Sequence, residues 1–206
     1  MPEVLFLNGV SFAYAETDVL HEVSLAVRGG EITALTGHNG SGKSTLLEII
    51  AGVLKPKCGT VSQHEDLALV LQRPSAPESL PLTAREVVAM GTWKRGARLS
   101  RAAARTAVDR ALERVDMSQY ANRPLADLSG GQRQRIFLAQ GIVRQPGALL
   151  LDEPATGLDR MSSARTQKIL REEAHRGAIV LCATHHDEAI EQADRTIRLE
   201  EGRVVG

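Results

Sequence analysis

The chain has 206 residues, 43% hydrophobic and 3% aromatic, which is enough to bury the core of one domain but too short for a large multidomain enzyme. Twenty-five basic residues balance 25 acidic ones, so the overall charge indicates no attraction to nucleic acid or to anionic lipid. Cys58 and Cys182 fit no C-x-x-C spacing, so we expect two reduced thiols in a cytosolic protein. We recognise no signal peptide and no apolar run of the roughly 20 residues that cross a bilayer.

Short runs of alternating apolar and polar residues fill the first 35 positions and predict antiparallel strands. The runs cover 4–7, 10–14 and 23–27, and Gly29-Gly30 interrupts the pattern before the next element. Tyr14 ends the second run. It is either an ordinary strand aromatic or a ring placed to stack on a purine, and its position alone does not separate the two.

A glycine-rich segment follows, between a predicted strand over 31–36 and a predicted helix over 44–51. It reads Gly37-His38-Asn39-Gly40-Ser41-Gly42-Lys43-Ser44-Thr45 and fits the pattern G-x-x-x-x-G-K-[ST]. Backbone amides of such a loop, with the helix N-terminus behind them, bind a row of phosphates. Lys43 reaches the β- and γ-phosphates and Ser44 holds Mg²⁺. A chance glycine-rich turn is the weaker interpretation, so the segment predicts a nucleoside triphosphate site.

The next segment contains two short predicted strands and a boundary. The strands cover 60–61 and 67–71, and Gln72 ends the second one. This glutamine is either a solvated strand terminus or a group that reaches the metal ion and the attacking water. The proline-rich stretch 74–82 marks the boundary between subdomains.

A helical, alanine- and arginine-rich region extends from 83 to 122. Thr83 and Glu86 predict a capping box at its start. Further on, one helix face gathers Ala104, Val108, Ala111, Leu112 and Val115. Basic residues between Lys94 and Arg105 favour a solvated face over docking to a partner or to lipid head groups.

A second glycine-containing segment opens another predicted helix. It reads Leu128-Ser129-Gly130-Gly131-Gln132, and Ser129 is placed to cap the helix. The glycines expose backbone amides at the helix N-terminus, which predicts a second phosphate-binding device. One nucleotide site does not need two such loops.

Carboxylates and histidines follow two apolar runs that predict buried parallel strands. The first run, 148–151, leads into Asp152 and Glu153, which predicts support of Mg²⁺ by Asp152 and orientation or deprotonation of the attacking water by Glu153. The second run, 178–183, leads into Thr184, His185 and His186. A zinc site at the two histidines is disfavoured, because neighbours on an extended chain point apart and no third ligand is evident. A single histidine facing the γ-phosphate is the simpler hypothesis.

Taken in order, these motifs resemble the ATPase subunit of ABC transporters over essentially the whole chain. Gln72 matches the Q-loop, 128–132 the signature, 149–153 the Walker B strand, 156–159 the D-loop, and His185 the switch histidine. The resemblance implies an α/β fold: a P-loop core with an N-terminal antiparallel β subdomain and a helical subdomain at about 75–127, all within one domain of residues 1–206. His186 departs from the family pattern, in which an Asp often follows the switch histidine.

The resemblance also assigns roles to residues. It implies ATP and Mg²⁺ as cofactors, adenine stacking by Tyr14, catalysis by Glu153, His185 and Gln72, and metal support by Ser44, Gln72 and Asp152. Two copies pack head to tail in this family, so Ser129, Gly130, Gly131 and Gln132 would contact the nucleotide of the partner, and Asp159 would connect the two sites.

Stretches at 72–91, 93–99 and 107–115 are similar to the ATPases of bacterial zinc and manganese importers. This similarity implies import of a divalent metal ion through a separate membrane permease, supplied by an extracytoplasmic binding protein, with the ATPase on the cytoplasmic face of the membrane and no nucleic acid partner. Another cargo, such as a ferric chelate, and an exporter motor remain alternatives. A nucleotide-gated subunit without catalysis would be expected to lack Glu153 or His185.

Overall fold

The computed structural model describes residues 4–62, 66–71, 81–93 and 99–205. Gln72 and the basic residues Lys94, Arg95 and Arg98 lie outside the described residues. The described strands are β1 (Val4–Tyr14), β2 (Thr17–Arg28), β3 (Ile32–Thr36), β4 (Cys58–Val61), β5 (Leu67–Val70), β6 (Ala148–Asp152), β7 (Ile179–Ala183), β8 (Arg195–Glu200) and β9 (Arg203–Val205). The described helices are α1 (Lys43–Ile50), α2 (Ala84–Met90), α3 (Arg101–Arg114), α4 (Gly130–Ile142), α5 (Arg160–His175) and α6 (Asp187–Glu191), with short 3-10 turns at Ser118–Tyr120 and Leu125–Asp127.

The N-terminal strands form a three-stranded sheet in the order β2-β1-β4, and both strand pairs are antiparallel. The predicted antiparallel arrangement is therefore confirmed. The prediction of separate runs at 4–7 and 10–14 is wrong, because both belong to β1. The register shifts between Leu7 and Val10, and Gly9 there adopts a φ of 60°. This irregularity interrupts the sequence alternation without ending the strand.

The second sheet has six strands in the order β5-β6-β7-β3-β8-β9. The pairs β6–β7, β7–β3 and β3–β8 are parallel, and β9 returns antiparallel to β8. Every residue of β3, β6 and β7 is buried, which explains why these strands are continuous apolar runs in the sequence. Because they are parallel, their carboxyl ends meet at one edge of the sheet, and the segments beginning at Gly37, Glu153 and Thr184 lie there.

One hydrophobic cluster joins the antiparallel sheet, α1 and the larger sheet. It includes Leu5 and Val27 from the first sheet, Leu46 from α1, and Leu150 and Leu181 from the second sheet, each at most 1% exposed. Burial of these apolar side chains fixes β3, which leads into the glycine-rich loop, against α1, which follows the loop. The predicted α/β class with a P-loop core is confirmed.

The described chain divides into two compact units. The first contains Met1–Leu69, Gly147–Glu153 and Leu170–Gly206, and the second contains Val70–Pro146 and Pro154–Ile169. Helices α2, α3 and α4 lie in the second unit and pack against one another. The helical subdomain at about 75–127 stays a prediction.

Two sequence signals in the second unit are confirmed in detail. The Thr83 hydroxyl accepts a bond from the amide of Glu86, whose carboxylate accepts one from the amide of Thr83, so the predicted capping box is present. On α3, Val108, Ala111 and Leu112 of the predicted apolar face are buried. In the described part of the chain, no helix is both long and apolar enough to span a membrane.

Candidate functional site

The glycine-rich loop of the first unit connects β3 to α1, as the sequence predicts. Gly37, Gly40 and Gly42 adopt φ angles of 147°, 82° and 101°, which residues with a Cβ rarely adopt. A Cβ on Gly37 would lie 2.1 Å from the backbone oxygen of Leu199 in β8. The loop therefore packs so closely on the neighbouring strand that glycine is required at this position.

The side chains of this loop fall into an exposed and a buried group. His38, Asn39 and Ser44 are exposed, whereas Ser41, Lys43 and Thr45 are buried. The ammonium group of Lys43 donates hydrogen bonds to the backbone oxygens of Gly37 and His38, at 2.8 and 3.0 Å. Its charge is thus held within the curve of the loop, where it can attract a phosphate. The buried Ser41 hydroxyl has no hydrogen-bond partner among the described residues.

Asp152 lies at the end of β6, near enough to the hydroxyl of Ser44 at the start of α1 for that hydroxyl to influence its pKa. Burial raises the pKa of the Asp152 carboxyl above its ordinary value. The Ser44 hydrogen bond lowers this pKa, the Glu153 charge raises it, and the Lys43 charge lowers it. A hydroxyl and a carboxylate that lie near each other offer the oxygen ligands that Mg²⁺ prefers, so Ser44 and Asp152 fit this ion.

Glu153 follows Asp152 directly and is buried with a left-handed φ of 51°. Such a conformation is unfavourable for a glutamate and is typical of functional sites. The Glu153 carboxylate lies 2.6 Å from Nδ1 of His185 and accepts a 3.5 Å hydrogen bond from the hydroxyl of Thr184. Its amide donates to the oxygen of Ala183, which fixes its backbone to the neighbouring strand.

The segment after β7 places Thr184 and both histidines beside Glu153. Nε2 of His186 lies 3.8 Å from the Glu153 carboxylate, and the rings of His185 and His186 are 4.3 Å apart between centroids, with a 30° tilt. The expectation that neighbouring histidines point apart is therefore wrong. The Thr184 hydroxyl accepts a 3.1 Å hydrogen bond from the amide of His186, which fixes the backbone beside the two rings.

Tyr14 lies at the end of β1 with 48% of its surface exposed. Its hydroxyl donates a 3.5 Å hydrogen bond to Glu48 of α1, and its ring meets Phe12 edge-on at 4.9 Å. The exposed ring is thus held near the helix that begins in the glycine-rich loop. Its role as an adenine platform stays a prediction.

The signature segment lies in the second unit. Ser129 caps α4 and forms a capping box with Gln132, whose side-chain oxygen accepts a 2.9 Å bond from the Ser129 amide. Gly130 is exposed, and among the described residues no atom beyond its chain neighbours and its own helix backbone lies within 4 Å of the position where it would carry a Cβ. The start of α4 is therefore accessible, and its role as a phosphate-binding device stays a prediction.

Asp159, of the D-loop, has a structural partner within its own chain. It accepts 2.9 Å hydrogen bonds from both the amide and the hydroxyl of Ser162 at the start of α5. The amide bond, then the hydroxyl bond, lower the pKa of Asp159.

Sequence reasoning assigned no role to Thr184, although its hydroxyl links Glu153 to His186. The available signal was a polar residue directly after a buried parallel strand, at the same sheet edge as Glu153. Sequence reasoning also missed that His186 would lie close to Glu153, because this contact depends on the backbone conformation after β7.

A glycine-rich loop of the P-loop pattern, a buried acid near the serine of that loop, and a second acid beside a histidine together define an ATP-binding P-loop ATPase. The ABC transporter family profile matches residues 20–156. The chain belongs to this family, and it is an ATPase subunit of the ABC transporter type.

Several characterised relatives align over most of the chain. The zinc import ATP-binding protein ZnuC of Cereibacter sphaeroides is 40% identical over 186 residues, covering 88% of this chain and 73% of the relative. The zinc uptake system ATP-binding protein ZurA of Listeria innocua is 36% identical over 200 residues, covering 91% and 78%. A lipoprotein-releasing system protein, LolD 1 of Rhodopseudomonas palustris, is 34% identical over 100% of both chains.

Solved structures agree with this placement. A dimeric structure of a post-hydrolysis state of an ATP-binding cassette, bound to ADP and phosphate, has a TM-score of 0.87 and 26% identity, covering 98% of this chain and 97% of that one. The cbiO1 protein of Clostridium perfringens, part of the transporter complex cbiONQ, has a TM-score of 0.81 and 29% identity, covering 98% and 86%.

Proposed function

We propose that this chain is the ATPase subunit of a bacterial importer for a divalent metal ion such as zinc or manganese. The observation that carries this proposal is the similarity to ZnuC and ZurA, which are named for zinc import and uptake and align over about nine tenths of the chain. Sequence similarity of this kind supports the motor more strongly than the cargo, since one fold serves many cargoes.

The residues around the loop divide the work of ATP hydrolysis. Gly37 to Thr45 hold the phosphates, Lys43 neutralises their charge, and Tyr14 stacks on the adenine. Ser44, Asp152 and Gln72 would hold Mg²⁺, which would supply positive charge to neutralise the phosphates. Phosphoryl transfer depends mainly on positioning and charge, so these contacts prepare the γ-phosphate for attack.

Glu153 activates the attacking water. Its carboxylate takes a proton from the water while the oxygen forms a bond to the γ-phosphorus, and the bond from that phosphorus to the ADP oxygen breaks. The 2.6 Å contact with His185 and the bond from Thr184 hold the carboxylate in one orientation. His185 and Gln72 complete the contacts to the γ-phosphate and the water.

The assembly contains a second copy of the chain and a membrane permease. In a head-to-tail dimer, Ser129, Gly130, Gly131 and Gln132 of one copy close on the ATP of the other, and Asp159 lies between the two sites. The open N-terminus of α4 supports this role, because unpaired amides and the helix dipole attract phosphate. The helical subdomain at about 75–127 passes the motion to the permease on the cytoplasmic face of the membrane, and an extracytoplasmic protein supplies the cargo.

The test is ATPase activity of the chain copurified with its permease in vesicles. Binding proteins loaded with zinc, manganese, a ferric chelate or another solute are offered in turn. Stimulation of ATPase activity by zinc or manganese alone supports a metal importer. Stimulation by a different solute contradicts the proposed cargo but not the proposed ATPase function. Stimulation by none with intact basal turnover contradicts import.

The Glu153→Gln variant tests the water-activating role in the same vesicles. The amide keeps the shape of the side chain but cannot take a proton, so turnover should fall about 10²–10⁴-fold while ATP binding persists. Glu191→Gln, at the exposed end of α6, is the matched control and should leave turnover unchanged. Undiminished turnover in Glu153→Gln would remove Glu153 from this role.

A lipoprotein-releasing exporter motor is the second candidate, since LolD 1 matches over the full length of both chains. In the vesicle assay, ATPase activity of such a motor would respond to lipoprotein and to none of the loaded binding proteins.

A further inference from the structure

Three side chains at the carboxyl edge of the larger sheet form a cluster that ATP hydrolysis does not fully explain. These are Glu153, His185 and His186, and the proposed hydrolysis gives no role to His186. One carboxylate oxygen and one ring nitrogen from each histidine all lie within 4.8 Å of one another. The two rings lie side by side, 4.3 Å apart, and the carboxylate contacts both.

The donor set fits a transition metal ion better than Mg²⁺. Zinc binds imidazole nitrogen and carboxylate oxygen at about 2.0–2.2 Å, which places tetrahedral ligands about 3.3 Å apart. Mg²⁺ prefers ligands that are all oxygen. Two imidazoles and one carboxylate therefore provide three of the four ligands that zinc takes, and water can provide the fourth.

The three ligand atoms must move closer together to bind one zinc ion, and the differing burial of the three side chains allows this movement. The Glu153 side chain is 9% exposed and accepts a hydrogen bond from Thr184, so it serves as the stationary ligand. The histidine side chains are 49% and 43% exposed, so their rings can rotate toward an ion that arrives from solvent. The shift needed at the widest spacing is about 1.5 Å, which lies within the range of an exposed imidazole rotation.

We propose that Glu153, His185 and His186 form a binding site for zinc or a similar transition metal ion, and that the bound ion inhibits ATP hydrolysis. The ion occupies the carboxylate lone pairs with which Glu153 takes a proton from water. It also replaces the 2.6 Å contact between Glu153 and His185. The inhibition, though not the binding, rests on the proposed role of Glu153 in hydrolysis.

Such a site would respond to the metal concentration on the side of the membrane where the ATPase works. If the cargo is zinc, accumulated cargo slows its own import by acting directly on the motor. The site needs only residues of one chain, so it does not depend on dimer formation.

Metal binding is tested first, on the purified chain without nucleotide. Zinc affinity is measured by competition with a coloured chelator, and cobalt serves as a visible-absorption probe of the coordination. His186→Gln should weaken zinc binding at least about tenfold, since even the loss of an outer contact costs that much. His175→Gln, an exposed histidine in the last turn of α5, is the control and should bind zinc as the natural chain does. Equal zinc affinity in the natural chain and His186→Gln would overturn the site.

Inhibition is tested on the copurified complex at saturating Mg²⁺ and ATP, with free zinc set by a metal buffer. Each rate is compared with the zinc-free rate of the same variant. The zinc concentration that halves turnover should rise at least about tenfold in His186→Gln and stay unchanged in His175→Gln.

The two measurements separate the failure of this proposal from the failure of the proposed function. Zinc that binds through His186 but leaves turnover unchanged would overturn the inhibition and would argue against Glu153 as the water-activating group. Inhibition that is equal in both variants would place the zinc effect elsewhere and overturn the proposal. A complex stimulated by another cargo would contradict metal import without affecting either result.

Discussion

Replacing Gly37 with alanine tests how the glycine-rich loop is held against the sheet. The residue combines a φ of 147° with a Cβ position only 2.1 Å from the backbone oxygen of Leu199. Two effects therefore lower the free energy of unfolding in Gly37→Ala. Alanine disfavours this backbone conformation, and its Cβ overlaps with the backbone of β8, which cannot move aside as the end of a flexible side chain could. Gly30→Ala isolates the first cost, because Gly30 has a φ of 90° and nothing lies within 4 Å of its Cβ position.

The expected sizes follow from these two terms. A left-handed conformation costs alanine about 1–2 kcal/mol, and the stiffer unfolded chain returns about 0.4–1 kcal/mol, so Gly30→Ala should lose at most about 1.5 kcal/mol. Relief of the overlap requires the loop and β8 to separate by about 1 Å, and forced displacement of this kind costs about 1–3 kcal/mol more. At about 2–4 °C per kcal/mol, Gly37→Ala should melt about 2–12 °C below Gly30→Ala.

The assay is thermal unfolding without nucleotide, followed by titration with a fluorescent ATP analogue. Displacement of Gly37 also moves a backbone oxygen that binds the ammonium group of Lys43, so nucleotide affinity should fall in Gly37→Ala and remain unchanged in Gly30→Ala. If Gly37→Ala melts at the same temperature as Gly30→Ala and binds the analogue normally, the close packing of the loop on β8 is refuted.

Three further predictions concern caps, thiols and a buried charge. Ser129→Ala and Thr83→Ala each remove a capping-box hydroxyl, and each should lower the free energy of unfolding by about 0.5–2 kcal/mol. Only Ser129→Ala should also reduce ATPase activity. Equal ATPase activity in the two variants would limit Ser129 to a structural role. Cys58 is exposed, whereas burial raises the pKa of Cys182 to about 12. A thiol reagent at pH 8 should therefore label Cys58 quickly and Cys182 only in denaturant. Rapid labelling of both cysteines in the folded chain would contradict the burial of Cys182. Burial raises the pKa of the Asp152 carboxyl, so the folded chain bears an unfavourable charge above the raised pKa and loses this cost as the pH falls through it. Asp152→Asn should therefore melt higher than the natural chain at neutral pH, and the difference in melting temperature should narrow as the pH is lowered. A difference in melting temperature that does not change with pH would refute this effect of burial.

Much of the fold was predictable because its parts are local in sequence. The strand–loop–helix around Lys43 and the buried strand before Glu153 each combine a hydrophobic pattern with a specific motif. The caps at Thr83 and Ser129 follow from side-chain chemistry within four residues. Signals of this range do not depend on how distant segments pack, so the structure reproduces them.

What the sequence could not provide depends on contacts between distant segments or on backbone detail. The continuity of β1 through Gly9 depends on pairing with β2 and β4, which compensates for the interrupted alternation. The approach of His186 to Glu153 accompanies a hydrogen bond from the His186 amide to the Thr184 hydroxyl and joins segments that are 33 residues apart in the sequence. Alternation along an extended chain predicts the opposite placement for His186.

The unfavourable features of the first unit concentrate where the parallel strands end. Glu153 has a left-handed backbone, Asp152 holds a buried carboxyl with a raised pKa, and Gly37 occupies a position where a Cβ would overlap with β8. The left-handed backbone of Glu153 and the buried carboxyl of Asp152 each cost stability, and the apolar residues of β6 before them supply burial that offsets the cost, whereas glycine at position 37 avoids the overlap. We propose that these features hold two carboxylates and an ammonium group around the space in which a phosphate is bound and attacked, since perturbed groups and unfavourable backbone conformations of this kind are typical of functional sites.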